Sequence, residues 1–204
     1  TNASLSFKEA AIRRDFTINA IGYDFFKEEF IDPFDGIEDL RTKTIKHIND
    51  KTFIEDSLRV YRAVAFASRF NFKIEEKTKE LCKQIVLKNE LKYLPKERVY
   101  EEFKKLFLKS SKPSIGFELM REIGILKYFS ELQALINCIQ EPEYHPEGDV
   151  WVHTMMALDE MARILKEENI ENDYKELYLF YSILCHDFGK PFCTEEINGK
   201  ITSH

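Results

Sequence analysis

A mainly α-helical chain with little sheet is predicted by three observations. Glycine and proline are scarce, 7 and 6 in 204 residues, a composition that favours helix interiors over turns. From Asp50 to Leu108 apolar side chains recur at helical spacing with few interruptions. Beyond the polar break at positions 109–114, further amphipathic segments follow over 115–129, 132–139, 150–158 and 178–185. With 44% hydrophobic and 32% charged residues, the chain suits one large or two or three small units with real cores.

Composition also bounds the setting. No apolar run approaches the length needed to cross a bilayer, and no signal-peptide pattern is visible, so a soluble, cytoplasmic protein without a membrane partner is expected. Cys82, Cys138, Cys185 and Cys193 show no CxxC pairing and read as reduced thiols. The net charge of −6 repels phosphate globally. Any contact with nucleic acid must therefore come from a local basic patch.

Residues 1 to about 10 carry no clear pattern, and an opening Thr-Asn in place of Met reads as a fragment boundary. Arg13-Arg14-Asp15 precede an apolar segment, Phe16–Phe26, whose β-branched and aromatic content reads as a strand or a buried short helix. Two adjacent arginines can grip a triphosphate through forked, charge-assisted hydrogen bonds, and a neighbouring carboxylate can accept from a ribose hydroxyl. A basic turn before a strand is the plainer reading of that tripeptide alone. Asp32-Pro33-Phe34-Asp35-Gly36 reads as a turn.

The stretch Phe53–Phe70 is expected to be one helix. At about 100° per residue it gathers Glu55, Asp56, Arg59 and Arg62 on one arc and Ile54, Leu58, Tyr61 and Ala65 on the other. Asp56 and Arg59 stand at i and i+3. A carboxylate only accepts hydrogen bonds and a guanidinium only donates them, so together they offer an acceptor beside a donor. Cytosine and adenine carry the complementary amine donor and ring-nitrogen acceptor; guanine and uracil carry the reverse order. Such a pair can choose C and A over G and U, although an ordinary surface ion pair has the same spacing. Helices are also expected over 75–87 and 95–108, with Arg98 and Glu101 again at i, i+3 in Glu97-Arg98-Val99-x-x-Glu102.

The order and spacing of Arg13-Arg14-Asp15-Phe16-Thr17-Ile18-Asn19-Ala20, Asp32-Pro33-Phe34-Asp35-Gly36 and Glu55-Asp56-x-x-Arg59-x-x-Arg62 resemble the bacterial class II tRNA nucleotidyltransferase and poly(A) polymerase family. The resemblance implies a C-terminal remnant of an α/β nucleotidyltransferase head over 1–48, an all-α neck over 49–130 and the start of an all-α HD domain over 131–204. It implies nucleotide binding by Arg13, Arg14, Asp15, Asn19, Asp56, Arg59, Arg62 and Arg98, with Asp56 and Arg59 templating the base and Arg98 and Glu101 bracing their helix. In that family the turn often has Gly where this chain has Asp35. Addition of CCA to tRNA 3′ ends from CTP and ATP with Mg²⁺ is the implied activity. A poly(A) polymerase, or an enzyme adding only A or only C, shares these motifs. The catalytic carboxylates would precede Thr1, which makes the chain an internal piece of a longer enzyme.

A second group of residues has other chemistry. His153 lies in an apolar helical run and His186-Asp187 end another, a donor set suited to a divalent cation. HPEGDVWVHTMMALD and LCHDFGKP resemble the HD phosphohydrolase superfamily, which implies His153, His186 and Asp187 as ligands of a divalent metal of unspecified identity. It also implies Lys190 near phosphate, His145 as a further site residue or a turn residue, and a last ligand downstream of His204. An HD phosphohydrolase carrying a nucleotide- or RNA-binding module is the rival from another class.

Overall fold

The computed structural model describes residues 5–170 and 172–203, and by packing these divide into two compact units, Thr1–Glu102 and Phe103–His204. Packing thus divides the chain once, between 102 and 103. The reason lies in the core of the first unit. Phe16, from the double-arginine segment, is fully buried edge-on to Phe53 and Phe66, with ring centroids at 6.0 and 5.7 Å. The early segment and the following helices therefore share one core.

In the first unit, α1 (Phe7–Ala11) starts on a capping box between Ser6 and Glu9. The expected single element over 16–26 is instead three pieces: a bridge from Phe16 to His47, a 3₁₀ turn at Thr17–Asn19, and β1 (Gly22–Asp24). Strand β1 pairs antiparallel with β2 (Glu29–Ile31), Tyr23 opposite Phe30. The hairpin turns because the Asp24 carboxylate accepts from the Phe26 and Lys27 amides at 2.9 and 3.2 Å. Phe25 and Phe26 consequently sit exposed at its tip.

Next, Asp32 accepts from the Gly36 and Ile37 amides, both at 2.8 Å, and fixes the start of α2 (Gly36–Arg41). Asp35 is held left-handed at φ 59°, the conformation for which the family's usual Gly is suited. Gly36 is required for space: a Cβ there would stand 2.4 Å from the Thr17 carbonyl oxygen. Strand β3 (Thr44–Ile45) pairs in parallel with β4 (Lys73–Ile74).

The expected continuous helix over 53–70 is broken. Helix α3 (Asp50–Ile54) stops, residues 55–58 turn, and α4 (Arg59–Phe70) begins. Asp56 causes the break, its Oδ1 accepting the Leu58 amide at 3.2 Å. Short side-chain acceptors compete with the helical ladder in this way. The break also exposes Ile54 (41%), which a continuous helix would have packed beside Leu58, Tyr61 and Ala65; those three are buried. Asn71 ends α4 left-handed. Then come α5 (Glu76–Leu87) and α6 (Lys96–Lys109), as expected. His47 is a satisfied core histidine, bonded to Thr78 and Asp50, each at 2.7 Å.

In the second unit the 109–114 break is no domain linker. The Ser114 amide and hydroxyl bind Asp159 at 3.0 and 2.7 Å, which fastens α7 (Ser114–Ile123) to the unit. Gly124 (φ 86°) stops α7 instead of interrupting a longer helix. A 3₁₀ turn (Ile125–Tyr128) and the short α8 (Ser130–Ala134) replace the longer segments expected there. Helices α9 (Val150–Glu167) and α10 (Asp173–Cys185) pack on one another. The chain continues through α11 (Lys190–Cys193) to the antiparallel pair β5 (Thr194–Ile197) and β6 (Lys200–Ser203). Phe107 stacks on Phe180 at 5.0 Å and lies near Phe117, with Trp151 also fully buried. Among the described residues, no helix is long and apolar enough to cross a membrane.

Candidate nucleotide site and candidate metal centre

All eight residues expected to bind nucleotide, Arg13, Arg14, Asp15, Asn19, Asp56, Arg59, Arg62 and Arg98, line one cleft of about 440 Å³ in the first unit. Five are arginines. The cleft is therefore a local basic patch on a chain of net charge −6, the arrangement an anionic ligand requires.

Four of these arginines are placed by bonds from their own side chains. Arg59, at the first position of α4, spends two N–H groups on backbone carbonyls, those of Thr52 and Arg13, both at 2.6 Å. A guanidinium has five such groups, so donors remain. Arg98, from α6, holds the Asp56 carboxylate at 3.1 Å. Arg14 donates to the Asn19 carbonyl at 2.8 Å. Asp56 and Arg59 are not neighbours on one helical face, because the turn at 55–58 separates Asp56 from α4. They meet at the cleft as residues of a turn and of a helix start.

Asp15 is only 7% exposed, and both its oxygens are engaged. Oδ1 accepts from the Phe16 amide at 2.9 Å and from Asn19 Nδ2 at 3.0 Å. Oδ2 accepts from Arg62 at 2.5 and 2.7 Å. Arg62 in turn stands 3.7 Å from Glu102 and over the Phe66 ring at 5.5 Å from its centroid. The sequence reading had singled out Glu101, which is exposed; the buried partner is Glu102, at 5% exposure. Its signal was an acid lying in the same helical row as the apolar residues of α6, a position an unpaired charge avoids. Phe66 was also missed, being indistinguishable by pattern from a core residue.

Among the described residues, two groups of side chains have the spacing to hold a metal ion, and both lie in the second unit. One is the expected trio His153, His186 and Asp187; the other is His145, Glu147 and His153. His153 comes from the second turn of α9, after the Asp149 cap, while His186 caps α10 at its C-terminal end. His186 Nε2 lies 3.1 Å from Asp187 Oδ2, and Lys190 Nζ lies 2.9 Å from the same oxygen. That oxygen is buried and has no well-directed hydrogen bond despite these two neighbours. A buried carboxylate oxygen facing imidazole nitrogens without a directed donor fits a divalent cation. Lys190 is also tied to Gln140 Oε1 at 2.6 Å. Glu147 was missed because it lies in a Pro/Gly turn without periodicity. Its carboxyl is held down at about 2 by its own backbone amide and then by His153 and His145.

The chain is similar to known proteins in both sequence and fold. The family described as "Poly A polymerase head domain" matches residues 1–46, and that described as "Probable RNA and SrmB-binding site of polymerase A" matches residues 71–136. The multifunctional CCA protein of Mannheimia succiniciproducens is 40% identical over 95% of this chain and 45% of its own length. That of Actinobacillus pleuropneumoniae serotype 5b is 39% identical over 95% of this chain and 46% of its own. The chain therefore spans about half the length of the curated relatives it matches. Among solved structures, an apo tRNA-processing enzyme is similar with a TM-score of 0.68 and 31% identity, covering 91% of this chain and 50% of that one. The Thermotoga maritima CCA-adding enzyme complexed with tRNA gives 0.61 and 28%, covering 85% and 40%. Over nearly its whole length this chain is similar to members of the tRNA nucleotidyltransferase and poly(A) polymerase family.

Proposed function

We propose that the chain is the nucleotide-selecting part of an enzyme that adds CCA to tRNA 3′ ends from CTP and ATP without a nucleic-acid template. The observation that carries this is the shared cleft: an acceptor, Asp56, and a donor, Arg59, open onto the same space as Arg13 and Arg14. Asp56 accepts from the exocyclic amine of cytosine or adenine while Arg59 donates to the adjacent ring nitrogen; guanine and uracil present the reverse order. Arg13 and Arg14 take the triphosphate. Asp15, with both oxygens engaged by protein groups, holds Arg62 and Asn19 in place and does not reach the ribose. The solved relatives include a tRNA-processing enzyme with CTP and a CCA-adding enzyme with ATP, which supports the same nucleotides here. Nucleotide transfer in this family also uses Mg²⁺; the part we assign to this cleft is grip and selection.

Full-length enzyme given tRNA lacking its 3′ end, an unrelated RNA and each NTP singly tests the reading. Addition of C and A to the tRNA alone supports it. Oligo(A) on any RNA identifies a poly(A) polymerase, and no addition leaves a phosphohydrolase with a nucleotide-binding module. Within the same assay Arg14→Ala is expected to raise KM for every NTP alike, roughly tenfold for one lost charge-assisted hydrogen bond. A loss confined to one base would be the contrary result.

We also infer that the family parts fall at 1–48 (head), 49–130 (neck) and 131–204 (the start of an HD domain). In that last part His153, His186 and Asp187 would hold a divalent cation. When bound, such a cation supplies Lewis-acid polarisation of a phosphate oxygen and a lowered pKa for water. Lys190, already beside Asp187, adds a positive charge for the phosphate. His186→Ala in the full-length protein is expected to abolish metal-dependent phosphatase activity and leave nucleotide addition unchanged; loss of both would contradict two separate sites.

A further inference from the structure

Each of the three histidines around the candidate metal centre has Nδ1 against an oxygen. His153 and His145 both face Glu147 Oε1, at 2.6 and 3.1 Å. His186 faces the Ile183 carbonyl at 2.6 Å. A carboxylate and a carbonyl only accept, so in the neutral imidazoles Nδ1 carries the proton and Nε2 keeps the lone pair. For His186 that Nε2 is the atom beside Asp187 Oδ2. One exposed backbone carbonyl and one acid thus give all three rings the same tautomer.

Spacing decides what Glu147 is. Two ligands on one zinc-like ion with bonds of about 2.0–2.1 Å lie about 3.0–3.4 Å apart. The 2.6 Å between Glu147 Oε1 and His153 Nδ1 is too short for both to hold one ion, and is the length of a charge-assisted hydrogen bond. The 3.1 Å between His186 Nε2 and Asp187 Oδ2 fits two ligands of one ion. Glu147 is therefore a hydrogen-bond partner of His153 Nδ1, which leaves Nε2 as the atom free to join His186 and Asp187 on an ion.

We propose that Glu147 is the positioning residue of the His153, His186 and Asp187 centre: it does not touch the metal, but fixes the tautomer and ring orientation of His153 through Nδ1, and holds His145 in the same state. The proposal rests on reading that trio as a metal centre. A carboxylate behind a ligating imidazole fixes its orientation and raises its basicity, and losing one typically lowers metal affinity about 10- to 100-fold.

Co²⁺ titrated into the full-length protein, followed by the ligand-field absorption that disappears in His186→Ala, measures the centre directly. Glu147→Ala is expected to weaken this Co²⁺ binding by about 10- to 100-fold. Glu147→Gln, whose amide oxygen still accepts from Nδ1–H, is expected to recover most of the loss. Histidine ¹⁵N spectra of the metal-free protein should show His153 as the Nδ1–H tautomer in the wild type and in Glu147→Gln, and a mixture in Glu147→Ala. Equal loss in Glu147→Gln and Glu147→Ala would make Glu147 a ligand and overturn the proposal, as would unchanged affinity or tautomer in Glu147→Ala. If wild-type protein shows no His186-dependent Co²⁺ signal, the metal-centre reading itself fails.

Discussion

Replacing Arg62 with alanine is expected to destabilise the first unit by about 3 kcal/mol, the lower end of the cost of breaking a buried ion pair. The mutation withdraws one guanidinium from two acids: Asp15 loses the contact at Oδ2, and Glu102 loses the same group 3.7 Å away, while the two residues are 7% and 5% exposed. Arg62 itself retains 29% side-chain exposure, so water entering the vacated space offsets part of the penalty, which is why the lower end applies. Loss of the stack over Phe66 acts in the same direction. At roughly 4–8 °C per kcal/mol for a unit near this size, the melting temperature should fall by about 12–24 °C. A loss below about 1 kcal/mol in denaturant titration would mean that the two carboxylates are solvated by other routes.

Asp56→Ala is expected to collapse discrimination between CTP and UTP, and between ATP and GTP, with little change in triphosphate affinity. A hydrogen bond to a charged acceptor is worth about 1.5–3 kcal/mol, so the ratio of kcat/KM values should drop by roughly ten- to a hundredfold. The structure adds a qualification. Asp56 is held by Arg98 and by the Leu58 amide, so the mutation also releases Arg98 into the cleft. Measuring kcat/KM for all four NTPs separates the effects. A released guanidinium acts on the shared triphosphate alike for every base, whereas the lost acceptor acts on the ratio. Preserved preference for CTP and ATP would remove the basis of the template reading.

Much of this was legible in the chain. Helices α5 and α6 have long apolar periods, and the eight residues expected from the sequence to bind nucleotide share a cleft. The break at 55–58 carried a signal that periodicity overrode: Asp-Ser is turn and cap chemistry, and it outcompeted the helical ladder locally. Glu102 was hidden for another reason. Its partner Arg62 lies far off in sequence, and only the fold brings an inward-facing acid to an inward-facing base. The Phe16–Phe26 segment misled because β-branched and aromatic content does not distinguish a buried bridge from an exposed hairpin tip; Phe16 is fully buried and Phe26 fully exposed. Glu147 had no periodicity to betray it, since its meaning depends on two rings converging from a turn and a helix.

The grip of Arg59 has a consequence for how the site tolerates change. Its two bonds go to main-chain oxygens, of Thr52 and Arg13, and main-chain oxygens are the same whatever side chain they belong to. The reader's posture therefore depends on where the chain passes at positions 13 and 52, a path the Thr52 hydroxyl helps to set by donating to the Ile12 carbonyl at 3.1 Å. Inserting or deleting a single residue in either segment moves an anchor by about 3.8 Å, more than the reach of a hydrogen bond.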